Sequence, residues 1–118
     1  MQGIMQDWPL TVNKILEHAN MQHGKREIIT RRVEGNIVRT TYADLFNASK
    51  QVSNALKDIN IGLGDRVATL GWNSERHMAT WYGAMGIGAV LHTINPRLHP
   101  EQIAWIANHA EDKVLVFD

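Results

Sequence analysis

The sequence predicts an α/β fold: a partial doubly wound parallel sheet, strand–helix–strand–helix–strand over residues 65–118, preceded by a helix, a β-hairpin and a second helix. Three observations carry that expectation. Short β-rich runs, Val67-Ala68-Thr69-Leu70, Ala89-Val90-Leu91-His92 and Val114-Leu115-Val116-Phe117, punctuate the second half of the chain. Between the first two, Met78, Trp81, Tyr82 and Met85 recur at i, i+3, i+4 and i+7, the period of one helical face. A strand, a helix and a strand within about thirty residues form a βαβ unit, whose strands run parallel with a right-handed crossover.

The elements follow in order. Trp8-Pro9 closes an extended lead, because proline disfavours helix at the residue before it. Thr11 is placed to cap a helix over residues 12–22, with Val12, Ile15, Leu16 and Ala19 on one side and Gly24 as its stop. Residues 27–32 and 36–40 read as a hairpin around Val33-Glu34-Gly35. Its arginines, Arg31, Arg32 and Arg39, suit either a solvated face or an anion contact. Thr41-Tyr42-Ala43-Asp44 is a capping box with Asp in place of Glu. It opens a helix to about residue 59, with Leu45, Val52, Leu56 and Ile59 as its buried side.

Gly64-Asp65 turns the chain into the first parallel strand. Ser74 is the expected N-cap of the next helix, with Glu75 in the first turn where a carboxylate complements the dipole. Ala79, Gly83 and Gly86 form a small-residue stripe that lets this helix lie close on a sheet. Asn95-Pro96 ends the second strand. Pro100 and Glu101 start the last helix, with Ile103, Ile106, Ala107 and Ala110 on one face. The final strand is apolar throughout, as a strand covered on both faces should be. No helix follows to cover it, so residues 1–118 are expected to be the incomplete amino-terminal portion of a larger domain.

Composition narrows the function classes. Twelve basic and twelve acidic residues cancel, which argues against nucleic acid or an anionic membrane as main partner. With no cysteine there is no disulfide framework and no thiolate nucleophile, in keeping with a cytoplasmic protein. No apolar run approaches the roughly 18–20 residues of a transmembrane segment. The first residues lack the basic-then-apolar order of a signal peptide.

No self-contained active site is legible. Gly62 and Gly64 precede a strand, the wrong side for a dinucleotide phosphate turn, and Gly83, Gly86 and Gly88 are explained by packing and turns. The six histidines, His18, His23, His77, His92, His99 and His109, make no metal-ligand spacing. His92 closes a strand at the edge where such sheets bind ligands, and a hydrogen-bonded structural role is favoured over a catalytic one. Ser74 lacks the flanking glycines of a nucleophile elbow. Catalytic, cofactor-binding and metal-ligating residues are therefore all expected to be absent.

Several strings resemble the adenylate-forming, or AMP-binding, superfamily. They are Arg39-Thr40-Thr41-Tyr42-Ala43-Asp44, Gly64-Asp65-Arg66-Val67-Ala68-Thr69-Leu70-Gly71-Trp72-Asn73, the run from Gly88-Ala89-Val90 through Asn95-Pro96-Arg97-Leu98, and Asn108-His109-Ala110-Glu111-Asp112-Lys113 with the strand after it. Together they are similar to the amino-terminal part of bacterial medium- and long-chain fatty-acyl-CoA synthetases. The resemblance implies a parent ligase that joins a fatty acid to coenzyme A through an acyl-adenylate, using ATP and Mg²⁺ and releasing AMP and diphosphate. The family's phosphate loop, aromatic-Thr-Glu motif, ribose-binding Asp and carboxy-terminal Lys have no counterpart in this sequence. No cofactor is thus expected here, and the segment is expected to be structural and inactive alone, or alternatively a free-standing interaction module. The resemblance also implies a homodimer paired through amino-terminal segments, for which Ile4, Met5 and Trp8 are candidates, a role in the core being the other reading.

Overall fold

The structure, a computed structural model, describes residues 3–5 and 7–118. Its elements are α1 (Asn13–His23), β1 (Glu27–Arg31), β2 (Ile37–Thr41), α2 (Tyr42–Asp58), β3 (Arg66–Leu70), α3 (Glu75–Gly86), β4 (Val90–Thr93), α4 (Pro100–Ala110) and β5 (Val114–Phe117). β1 and β2 pair antiparallel as a separate two-stranded sheet, with Ile29 opposite Arg39. The other three strands form a parallel sheet in the order β4-β3-β5, with Ala68 opposite both His92 and Leu115. The α/β class and the element order expected from the sequence are both present. Because β4 and β5 lie on opposite sides of β3, the chain reverses direction there, and the crevice beyond the carboxyl ends of β3 and β5 is a topological switch point.

Local chemistry explains the boundaries. Thr41 and Asp44 make the capping box at α2: the Asp44 amide donates to Thr41 Oγ1 at 3.2 Å, and the Thr41 amide donates to Asp44 Oδ2 at 3.0 Å. Ser74 Oγ accepts from the His77 amide at 3.2 Å and so caps α3. The hairpin turn closes with the Gly35 amide donating to Arg32 O at 2.9 Å, and Gly35 takes φ +90°, a value that suits glycine. Thr11 does not cap α1. The helix starts one residue later behind Val12, which makes no side-chain cap, and only the Thr11 carbonyl takes part, accepting from Lys14 N.

Two cores share the layer formed by α2 and α3. In one, Leu56, Ile61, Val67, Ala84 and Ala89 are buried, with Val52, Leu91 and Val114 against them, so α2 and α3 cover one face of the parallel sheet. In the other, Leu16, Leu45 and Ala79 are buried with Ile28, Phe46 and Tyr82, joining α1 and the hairpin to the same two helices. The small-residue stripe serves a different neighbour from the one expected. A Cβ on Gly83 would stand 2.7 Å from Val52 and 2.9 Å from the Ser49 carbonyl, so the close approach is to α2 and not to the sheet. Ser53 Oγ donates to Gly83 O at 2.7 Å across the same contact.

Burial divides residues that share a face, and the expectations for Ile59 and β5 are corrected. Val12 and Ile15 are exposed, and Leu16 alone is buried in α1. Ile59, just past the last turn of α2, points to solvent, and the buried Ser49 takes a place on the inner face. Met78 and Trp81 do not enter a core, although Tyr82 does. β5 is not covered on both faces, since Leu115, Val116 and Phe117 are exposed. Among the described residues, no helix is long and apolar enough to cross a membrane.

Candidate functional site

The carboxyl ends of the parallel strands, the first turns of α3 and the hairpin enclose an open groove of about 840 Å³. One wall is β1 at Ile28, Ile29 and Thr30; the other is α3 at His77, Met78 and Trp81. The loops after β3 and β4 supply Trp72, Asn73, Ile94 and Pro96, with Arg97 at one end. Met78 and Trp81, which share one helical face by their spacing, thus line the groove. The Arg97 guanidinium carbon sits 5.2 Å from the centre of the Trp72 ring, a cation–π contact. A second cavity of about 490 Å³ lies at the switch point, between Val33 and Glu34 of the hairpin turn and Leu70, Trp72, Arg76, Pro96 and Asp118.

Charge organises this end of the molecule. Arg32 Nε donates to Glu75 Oε1 at 2.7 Å, and Nη2 binds the same oxygen. Burial is the strongest single influence on Glu75 and works against its ionisation, but hydrogen bonds from Arg32 and the backbone and the Arg32 charge together hold the carboxyl below its ordinary range. Arg76 Nη2 donates to Glu34 at 2.8 Å, which lowers the Glu34 pKa and raises that of Arg76. Arg76 also approaches Asp118 at 3.7 Å. So Arg32 serves neither as a solvated charge nor as a site for a foreign anion: its anion is Glu75. Arg39 pairs with Glu27 at 2.7 Å within the hairpin.

The histidines are accounted for locally. His77 Nδ1 faces the Trp72 carbonyl at 3.2 Å and Nε2 faces the Thr69 hydroxyl at 2.9 Å. A carbonyl can only accept, so Nδ1 carries the proton and Thr69 donates to Nε2. His92 Nδ1 donates to the Asp112 carboxylate at 2.8 and 3.0 Å, tying β4 to the segment before β5; the Asp112 side chain is shielded from solvent. His99 Nδ1 accepts from the Glu101 amide at 3.4 Å at the start of α4, and His109 stacks on Trp105. His18 and His23 meet edge to face on α1. Among the described residues, no group of three His, Asp or Glu side chains could hold a metal ion.

A nucleotide phosphate does not fit the switch point as these residues build it. The Trp72 amide there already donates to Asp118 Oδ2 at 3.1 Å, and that carboxylate oxygen lies 3.2 Å from where a Cβ on Gly71 would stand. A carboxylate on the available N–H repels phosphate. The groove is a mixed, largely apolar cleft with a cation at one end; the hydroxyl that meets its histidine, Thr69 on His77, is buried and outside the lining.

Sequence reasoning missed Arg32–Glu75, Arg76–Glu34 and Trp72–Asp118. Each joins residues more than forty positions apart, for which spacing holds no signal.

Comparison with known proteins agrees with this scaffold. Residues 16–118 match the family described as AMP-binding enzyme. A long-chain-fatty-acid–CoA ligase of Thermus thermophilus is 46% identical over 114 residues, covering 97% of this chain and 21% of that protein. A 3-methylmercaptopropionyl-CoA ligase of Ruegeria lacuscaerulensis is 41% identical over 118 residues, all of this chain and 22% of that protein. The solved structure of a Mycobacterium tuberculosis fatty acyl CoA synthetase superposes with TM-score 0.80 and 27% identity, over 91% of this chain and 21% of that one. The chain spans about a fifth of the length of these relatives. A match over most of its residues and a shared fold make this chain a member of the AMP-binding enzyme family.

Proposed function

We propose that residues 1–118 are the amino-terminal portion of an ATP-dependent acyl-CoA ligase, with a fatty acid as the carboxylate substrate. The observation that carries this reading is the 46% identity to the Thermus ligase over nearly the whole chain. In the parent, ATP and Mg²⁺ would activate the carboxylate as an acyl-adenylate, and coenzyme A would take the acyl group. The residues described here would supply none of the groups that touch the phosphates, a reading supported by the Trp72 amide at the switch point being taken by Asp118. Their part is to build one flank of the domain. The absence of a membrane-spanning helix among the described residues fits a cytoplasmic enzyme.

A second copy of the chain is the proposed partner of the lead segment. Ile4, Met5 and Trp8 are exposed, with Trp8 under the Lys14 ammonium, and isolated apolar residues of this kind favour cover. Sedimentation of the parent with these three residues changed to serine should show a shift from dimer to monomer. An unchanged dimer removes the pairing proposal and leaves the ligase reading intact.

The ligase reading is tested on the longer protein. Acyl-CoA formation is measured with carboxylates of increasing chain length, ATP, Mg²⁺ and coenzyme A. Thioester appearing with AMP, and fastest for fatty acids, is the expected result. Product with ADP in place of AMP, or no thioester from any carboxylate, overturns it.

A further inference from the structure

We propose that the tip of the β-hairpin is a lid over the switch-point crevice, latched to the first turn of α3 by two ion pairs. The proposal stands on the geometry of this chain and does not depend on the ligase reading.

The hairpin is anchored unequally along its length. Its root is fixed: the Tyr42 amide donates to Arg26 O, the Ala43 amide donates to Gly24 O, and Ile28 packs in the second core. Thr30 is still buried. Beyond Thr30 the strands leave the body. Val33 and Ile37 are more than half exposed, and the pairing of the hairpin does not extend into the parallel sheet. The tip nevertheless lies across the crevice, since Val33 and Glu34 share its lining with Leu70, Trp72 and Asp118.

Two ion pairs of opposite sense hold it there. Arg32 on the hairpin meets Glu75 on α3, and Glu34 on the hairpin meets Arg76 on α3. Adjacent α3 residues of opposite sign therefore read two hairpin residues of opposite sign, which fixes the register of the tip. Glu75 Oε2 is buried without a hydrogen-bond partner, so the desolvation of that carboxylate is offset mainly through Oε1. A latch of that kind releases when one charge is removed and is weakened by salt, whereas the root, held by burial and backbone bonds, is not. Opening would expose Leu70 and the Trp72 edge and leave Arg76 paired with Asp118 alone.

The absence of native cysteine permits a clean reporter. A Leu70→Cys chain is labelled with a thiol reagent under native conditions, beside a Leu56→Cys chain that reports global unfolding. Adding Glu34→Gln and Glu75→Gln should raise the Leu70→Cys labelling rate about tenfold, the scale expected for losing hydrogen bonds to charged groups, with the Leu56→Cys rate much less changed. The swap Arg32→Glu with Glu75→Arg should return the rate toward the parent value. Sodium chloride at high concentration should mimic the neutral variants. No change at Leu70→Cys, or an equal rise at both reporters, overturns the lid.

Discussion

On the α2–α3 side of the parallel sheet, Val67, Leu91 and Val114 meet Leu56, Ile61 and Ala84 in a continuous buried layer. On the α4 side the links are polar. Arg66 Nε donates to the last-turn carbonyl of Ala110 at 2.6 Å, where a cation also complements the helix dipole, and His92 reaches Asp112. α4 has no buried residue, and Leu115 and Phe117 of β5 stand exposed. The same three strands therefore have one face under a buried apolar layer and one where Ala68 is buried, Ile103, Ile106 and Ala107 of α4 are half-buried, and hydrogen bonds add to the contact. Within these 118 residues the difference sets the response to mutation: removal of apolar volume should cost more on the first face than at the exposed β5 positions of the second.

The largest expected effect is Leu56→Ala, a cavity in the packed layer, at about 2–5 kcal/mol of unfolding free energy by denaturant titration. Gly83→Ala comes next, at about 1–3 kcal/mol, because the new methyl must displace Val52 or part α2 from α3. A cost near zero would show that the two helices are not pressed together. Thr41→Ala removes one half of the α2 capping box and should cost about 0.5–2 kcal/mol.

Acid sharpens the comparison further. Asp44 is held below its ordinary range by Thr41, Asp65 by Lys113 and Glu75 by Arg32 against the opposing effect of burial. A carboxyl whose folded pKa is depressed contributes stability above its unfolded value and loses it as pH falls through the folded one. Melting temperature should therefore fall on acidification below the ordinary carboxylate pKa, and Asp44→Asn should flatten that fall. The smallest effect belongs to the open face, where Phe117→Ala should stay within about 0.5 kcal/mol. A loss as large as that of Leu56→Ala would mean that the two faces are equally packed.

What the sequence shows of this molecule is set by range. Capping at Thr41 and Ser74, the hairpin turn at Gly35 and the alternation of strand and helix are decided within a few residues, and all were legible. The identity of Gly83's neighbour was not, because a small residue signals a close approach without saying to what. The spacing of Met78 and Trp81 places them on one helical face without saying what it meets; they line a groove, because α2 occupies the adjacent face of α3. The hairpin latch and the Asp118–Trp72 contact bring together residues far apart in sequence, so they emerge only from the fold. His92 is the intermediate case: its place at a strand end was readable, its partner Asp112 was not.

The central claim is that this chain is scaffold and that the phosphate chemistry belongs to other parts of the parent. The most direct measurement is carboxylate-dependent exchange of labelled pyrophosphate into ATP by the 118-residue chain, beside the same assay on the longer protein. The account predicts exchange by the longer protein and none above background by the chain alone; exchange by the chain at a comparable rate would contradict it.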